Sequence, residues 1–338
     1  MKRLIYSFIG IVLSAAPFHA SALNLSNIVS EKYSTTKVVE DTFNVTSDMT
    51  FVIENTCGNI IINNNNENKL IIKAIISAKN KKQENIENTL ANVNVNISQE
   101  DKKISARTVA NSSTQTSEYE VTYTISMPAT MNINLSNRHG NVNIQDLLGK
   151  TNINVKHGNL TINKIKDLTN DFPILDLAYV GKTVINEIWF GGINLSYSNV
   201  TINKGQSVAI TGGYSNIKIL QTKSVAIDTK YGTINVDKVT NADITTKYAD
   251  INIKRLENNS DINMKYGNLT IESISHNLTK INAELSYGNA YINTNGVQGI
   301  NYKCNATHGT ISLPKNNDSN GEKKSINVKC NFGSIKIN

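Results

Sequence analysis

One short pattern recurs through the last two thirds of the chain: a ring residue, a small residue, then alternating apolar positions, as in KYGNLTI. Its small residue falls at Gly140, Gly158, Ser198, Ser215, Gly232, Ala249, Gly267, Gly288, Gly309 and Gly333. The step of 40 residues between Gly158 and Ser198 contains a degenerate copy around Tyr179 and Val180. The pattern therefore predicts eleven repeat units, which is the sequence signature of a repeat architecture.

The ring residues of these units are the first candidates for chemistry. Seven are tyrosines, and His139, His157, His308 and Phe332 complete the series: Tyr179, Tyr197, Tyr214, Tyr231, Tyr248, Tyr266 and Tyr287. Each ring stands an even number of residues after the apolar residues of the preceding strand, so alternation places it on the same face as they are. We therefore expect a structural ladder of stacked rings that closes the core at a corner.

His139 and His157 occupy equivalent places in adjacent units, and two imidazoles at that spacing could share a metal. No carboxylate or cysteine recurs beside them. The sequence therefore favours their continuing the ring ladder, and we predict no metal and no cofactor.

A basic residue precedes the ring in five units: Arg138, Lys156, Lys230, Lys247 and Lys265. Each stands one position away from the inward-facing set, so alternation directs its side chain outward. Such a basic stripe could hold an anionic glycan, a lipopolysaccharide phosphate or an acidic partner. The alternative is that outward lysines keep a β surface soluble and separate from its neighbours.

Carboxylates are scattered through the units. Asp228 lies four residues before its corner residue, whereas Asp243 and Asp261 lie six before theirs, so no continuous acidic column is expected. No arginine joins them into a set with assigned catalytic roles. We therefore predict that the chain is not an enzyme, with a polysaccharide-degrading enzyme as a remote alternative.

Two smaller features leave alternatives open. Cys304 and Cys330 could pair in an oxidising compartment or remain buried thiols, and Cys57 is expected to fill the core. The pair Trp189 and Phe190 interrupts the repeat, either as an exposed contact site or as filling for a wider unit.

The elements that position these residues are short strands. In the unit from Val225 to Val236, apolar residues alternate on both sides of Gly232, and alternation of period two indicates β-structure. Each unit is thus a two-strand rung with a corner at the small residue. We predict an all-β fold, a β-solenoid: a parallel β-helix-like stack of rungs of 17 to 24 residues, roughly 50 Å long. Asparagines just past the corner are expected to hydrogen-bond up the stack.

Residues 38–128 differ from the repeats. They predict longer strands and one short helix at 82–91, where Ile86 and Leu90 form an apolar stripe. We expect this β-rich region to cap the open end of the solenoid formed by residues 129–338. Residues 23–37 are predicted to be a flexible leader.

Residues 1–22 read as a secretory signal peptide, with Lys2 and Arg3 before an apolar run and Ala20-Ser21-Ala22 at the cleavage point. No later segment is apolar for long enough to cross a bilayer as a helix. Without the signal the chain keeps 32 basic and 27 acidic residues, a net charge of +5. That excess is too weak to argue for nucleic acid.

The chain resembles the "putative adhesin" β-strand-repeat family of exported bacterial domains. The matching segments are FVIENTCGNIIIN, ENIENTLANVNVNISQ, YTISMPATMNINL and the KYGNLTI-type repeats, which together extend over roughly residues 38–338. The resemblance implies a β-solenoid rod outside the cytoplasm of a Gram-negative bacterium, with no catalytic residues to transfer. The function predicted from sequence is a non-enzymatic binding protein in the periplasm, on the cell surface or secreted, with anionic glycans as ligands. The alternative is a periplasmic structural or sensory protein with an envelope partner.

Overall fold

The computed structural model describes residues 3–5, 33–111, 117–169, 171–314 and 324–338. The fold is all-β with one short helix, α1, at Gln83–Asn92. The strands before the repeats are β1 Arg3–Ile5, β2 Tyr33–Asn44, β3 Thr50–Asn55, β4 Ile60–Asn64, β5 Lys69–Asn80, β6 Val93–Glu100, β7 Lys103–Ala110 and β8 Glu118–Met127.

The repeats form the remaining strands, several of which run through more than one unit. They are β9 Asn132–Asn137, β10 Val142–Leu147, β11 Thr151–Ile165, β12 Ile174–Ser196, β13 Asn199–Gly213, β14 Ser215–Tyr266, β15 Leu269–Ile271, β16 Lys280–Tyr287, β17 Ala290–Ile292, β18 Ile300–His308, β19 Ile311–Ser312, β20 Lys324–Phe332 and β21 Ile335–Ile337.

Equivalent positions of neighbouring units pair in parallel. Ile133 pairs with Thr151 before the corner, and Val142 pairs with Leu160 after it. Asn199 pairs with Asn216, one unit further along the chain. The strands on both sides of the corner thus stack unit upon unit, with apolar side chains directed into a single buried core.

The region before the repeats joins this stack. β3 pairs in parallel with β7 on one side and β9 on the other, and β4 pairs in the same way with β8 and β10. Residues 50–64 therefore form a layer between the two regions. Beyond β7 and β8 the pairing becomes antiparallel, through β6 on one branch and β5, β2 and β1 on the other.

The helix matches its prediction closely, with Ile86 fully buried and Leu90 half-buried. The prediction that residues 23–37 form a flexible leader is wrong for the last five of them, because strand β2 begins at Tyr33 and pairs with β5. The signal peptide predicted for residues 1–22 lies outside the described residues except for 3–5. Among the described residues, no helix has the length and apolar character needed to span a membrane.

The last two units are stacked out of chain order, which the sequence did not predict. β20 pairs with β16 on one side and β18 on the other, so that Cys330 lies between Leu285 and Ala306. The inner unit thus places Ile326, Val328 and Cys330 in the core, where they are fully or almost fully buried. The outer unit carries half-buried Tyr302, whose amphipathic ring tolerates a wet end of the stack better than an aliphatic side chain does.

Candidate functional site

The eleven rings of the repeats stack face to face in one continuous column. Neighbouring centroids are 4.5–5.2 Å apart and neighbouring planes are 2–15° apart. We call this set the ring column, in its spatial order: His139, His157, Tyr179, Tyr197, Tyr214, Tyr231, Tyr248, Tyr266, Tyr287, Phe332 and His308. Tyr179 of the degenerate copy takes its place between His157 and Tyr197.

The ring column lies on the surface, and the expectation that it closes the core was wrong. Tyr179, Tyr197 and Tyr214 are 54%, 51% and 54% exposed. In the unit from Val225, the alternation holds as far as Thr229, which is buried, and is lost at Tyr231, which is only half-buried. The alternation of inward and outward side chains stops there because the chain turns at the ring residue itself or at the residue after it.

Nine of the eleven corners are built in one of two ways, and at Tyr248–Ala249 and His308–Gly309 neither residue has a positive φ. In the first, the ring residue takes a left-handed conformation: φ is +50° at Tyr197 and +56° at Tyr214, and each is followed by a buried serine. In the second, a glycine after the ring takes the unusual φ, +128° at Gly267 and +142° at Gly288. Both arrangements direct the ring away from the core, and the second requires glycine because other residues resist such dihedral angles.

Stacking decides which part of each ring meets solvent. The faces of the inner rings are covered by their neighbours, so the exposed parts are the ring edges and, in the tyrosines, the phenol hydroxyls. The edge of an aromatic ring carries partial positive charge, whereas its face is negative. The ring column therefore presents a row of weakly electropositive edges and hydroxyl donors at the spacing of the β-strands.

The five residues of the predicted basic stripe lie beside this column, and all are exposed. They form two groups, Arg138 with Lys156 and Lys230 with Lys247 and Lys265, separated by the units of Ala178, Ser196 and Gly213. Lys265 places its Nζ 5.8 Å from the centroid of the Tyr266 ring. Within the described residues, none of the five forms an ion pair.

A polar column borders the other side of the rings. The amide of Asn159 donates to Oδ1 of Asn141 at 2.9 Å, and that of Asn216 donates to Oδ1 of Asn199 at 2.9 Å. Towards the C-terminal end, Asn289 donates to Asn268 at 3.2 Å. These bonds fix the amides along the stack, so the strip beside the rings is polar and ordered.

At the N-terminal end of the column, His139 and His157 stack with centroids 4.9 Å apart. Loss of water contact, followed by the nearby charges of His157 and Arg138, lowers the pKa of His139. Cys57 takes the equivalent place in the next layer, since Asn55 pairs with Asn137, and it is half-buried. Burial and then the charge of Glu120 raise the pKa of the Cys57 thiol, which disfavours the nucleophilic thiolate.

The structure answers the first of the two open alternatives, and it places both residues of the second, Trp189 and Phe190, as half-buried. Cys304 and Cys330 are both free, and they are two residues out of register on adjacent strands. Their Cα atoms are therefore about 8 Å apart by strand geometry, too far for a disulfide. Trp189 is half-buried: Lys166 Nζ lies 3.6 Å from its ring centroid, and its indole nitrogen donates to Glu187 at 2.8 Å.

Sequence reasoning missed one feature of the acidic residues. Asp243 and Asp261 line the same surface groove, together with Phe172 and the small residues of neighbouring units. Their equal spacing from the corner is visible in the sequence, and the stacking of Tyr248 on Tyr266 makes their units neighbours, but the sequence does not show that the strands beside them leave a hollow. Asp228 is in a different position and does not line this groove.

No protein-family model matches the sequence, and a search of curated proteins finds no match. Solved structures do match. A putative cell adhesion protein from Clostridium sporogenes is 12% identical, with 91% of this chain and 99% of that chain covered and a TM-score of 0.19. A putative adhesin from Bacteroides fragilis is 12% identical, with 89% and 97% covered and a TM-score of 0.30. A putative lipid binding protein from Parabacteroides distasonis is 11% identical, with 88% and 97% covered and a TM-score of 0.24. The adhesin names agree with the family that the sequence resembles, but TM-scores this low establish neither a common fold nor a common function.

Proposed function

We propose that the chain is an exported, non-enzymatic β-solenoid that binds an anionic glycan along the ring column. The solenoid is supported by the parallel pairing of equivalent positions, one unit apart, on both sides of the corner. A stack of this kind displays a surface feature at a regular interval over its whole length. Such a surface suits a long polymer with repeated groups better than it suits a small molecule.

The observation that carries the proposal is the exposed ring column with unpaired basic residues beside it. Ring edges and ammonium groups both attract negative charge, and the phenol hydroxyls add hydrogen-bond donors. Lys230, Lys247 and Lys265 stand on three consecutive units. Because no carboxylate of the described residues neutralises them, their charge is available to a ligand.

The proposal predicts a saturable interaction that weakens as salt is added, because exposed charges are screened at physiological ionic strength. The probes are oligogalacturonate and hyaluronan, with dextran as the uncharged comparison, and binding is measured by titration calorimetry at low and high salt. Lys230→Glu combined with Lys247→Glu is expected to weaken binding of the anionic probes at least tenfold. Lys218→Glu combined with Lys223→Glu changes the net charge equally on exposed positions away from the rings and is the matched control.

Equal loss in both double variants would mean that only net charge matters, and it would remove the ring column from the proposal. Absence of anionic binding in the unsubstituted protein would refute the ligand class altogether. Turnover of a probe, seen as shortened products, would instead favour the polysaccharide-degrading alternative.

Location is tested separately by protease treatment of intact cells, with an epitope tag after Asn338 and a periplasmic protein as control. Loss of the tag while the control survives would support display on the surface. Survival of the tag until the outer membrane is broken would favour the envelope-partner alternative, and crosslinking would then identify that partner.

A further inference from the structure

A second concave surface lies on the outward face of the strands that precede the ring column. It is a groove of about 620 Å³ that crosses several units, with Phe172 at one end. A second hollow of about 510 Å³ shares Asp261 and Asn282 with it and continues towards β18 and β20. The first volume alone is in the range that proteins use to hold small ligands or segments of polymers.

Small side chains create the depression. Ser207 pairs with Ser224 and Ala209 pairs with Ala226, so that two adjacent units carry little more than a methyl or hydroxymethyl group at these positions. Phe172 forms the end wall: it is 54% exposed and lies against Gly192, where a side chain would crowd the ring. An aromatic ring at the end of a polar groove is a platform for an apolar or partly apolar ligand face.

The polar groups of the groove are available to a ligand. Asp243 and Asp261 occupy the same position in adjacent units, so their carboxylates lie on neighbouring strands about 5 Å apart. Within the described residues, neither forms an ion pair or a hydrogen bond.

The charges along the two hollows balance. Asp243, Asp261 and Glu284 contribute three negative charges, and three lysines contribute three positive charges: Lys280, Lys303 and Lys329. This balance distinguishes the groove from the ring column, where basic residues dominate. The groove itself, with Asp243, Asp261 and Lys280, carries one net negative charge, which disfavours an anionic ligand and suits a neutral one rich in hydroxyl or amide groups.

The position of the groove disfavours an extended peptide. Such a peptide gains affinity by pairing its backbone with a free sheet edge. The strands under the groove are paired with neighbours on both sides, as β13 is with β12 and β14, and only side chains face the ligand. A polyol needs no backbone partner, since carboxylates, amides and hydroxyls bind its hydroxyl groups.

From these observations we propose that the groove binds an extended neutral glycan, with the aspartates accepting from sugar hydroxyls and Phe172 against a sugar face. The site is independent of the ring column. Asp243 lies five residues before Tyr248, a distance of about 16 Å along the strand.

The test uses the full chain and two neutral probes, cellohexaose and the hexamer of N-acetylglucosamine, in titration calorimetry. At least one probe is expected to bind saturably. Ala226→Trp, on an exposed position, fills the groove and is expected to weaken that binding at least tenfold. Thr161→Trp places the same side chain on an exposed position of β11 that does not line the groove, and it is expected to leave binding unchanged.

A second variant guards against misfolding of the first. Phe172→Ala lies outside the strands and is expected to weaken binding without lowering the melting temperature. Lys230→Glu combined with Lys247→Glu should leave neutral-glycan binding intact, so that failure here and failure at the ring column can be told apart. The proposal is overturned if neither hexasaccharide binds, if Thr161→Trp weakens binding as much as Ala226→Trp does, or if a Gly-Ser decapeptide binds the groove while the sugars do not.

Discussion

At the scale of single residues, the ring column shows that an exposed aromatic residue can be structural and available to a ligand at once. Each inner ring contacts two others, as Tyr231 does with Tyr214 at 4.5 Å and Tyr248 at 4.9 Å. Stacked aromatic pairs stabilise a fold beyond the area they bury. The rings therefore hold adjacent units in register while their edges face solvent.

Tyr231 offers a direct test of this contribution. Tyr231→Ser removes two stacking contacts and is expected to lower the free energy of unfolding by about 1–2 kcal/mol. Tyr231→Phe keeps both contacts and is expected to change it by less than about 0.5 kcal/mol. Urea denaturation measures both variants, and equal destabilisation by the two would show that the hydroxyl, rather than the stack, is what matters.

At the scale of the element, the corner sets the constraint on sequence. Where the ring residue carries the positive φ, a serine such as Ser198 or Ser215 fits next to it, and its hydroxyl donates to the backbone of its own unit. Where the following residue carries it, the backbone of the preceding unit comes so close that only a hydrogen atom fits. Gly288, whose added Cβ would overlap the carbonyl oxygen of Gly267, is a clear instance.

Substitutions at the two kinds of corner should lower the free energy of unfolding by clearly different amounts. Gly288→Ala combines a forbidden dihedral angle with a backbone clash and is expected to cost about 2–4 kcal/mol. Ser198→Ala keeps an allowed conformation and loses hydrogen bonds of its hydroxyl, at about 1–2 kcal/mol. Thermal unfolding of the two variants measures both changes. A larger loss of stability in Ser198→Ala than in Gly288→Ala would contradict this account of the corner.

At the scale of the whole molecule, the order of the last two units is the main departure from simple repetition. The chain places β18 and β19 at the outer end and inserts β20 and β21 beneath them. The end of the stack consequently exposes apolar side chains of the outer unit, with Ile311 43% exposed. The inserted unit has buried contacts on both sides.

Engineered disulfides can test this order. With Cys57 and Cys304 changed to serine, Leu285→Cys is expected to crosslink with Cys330, its register partner on the adjacent strand. The reciprocal pair, Leu285→Cys with Ala306→Cys in a Cys330→Ser background, lies about 10 Å apart with a strand between, and should remain reduced. Units stacked in chain order would give the opposite result, and mass measurement under non-reducing conditions separates the two.

From the sequence alone follow the strand-forming segments, a helix within one residue of Gln83–Asn92 at each end and the spacing of the ring residues. Those features depend on local alternation and on a repeated pattern, both of which are visible in one chain. Three features emerge only in the folded chain: the outward direction of the ring column, the exchange of the last two units and the groove that Asp243 and Asp261 share. The physical reason is that the first depends on dihedral angles at a corner, where alternation no longer applies, and the other two depend on which strands become neighbours in space.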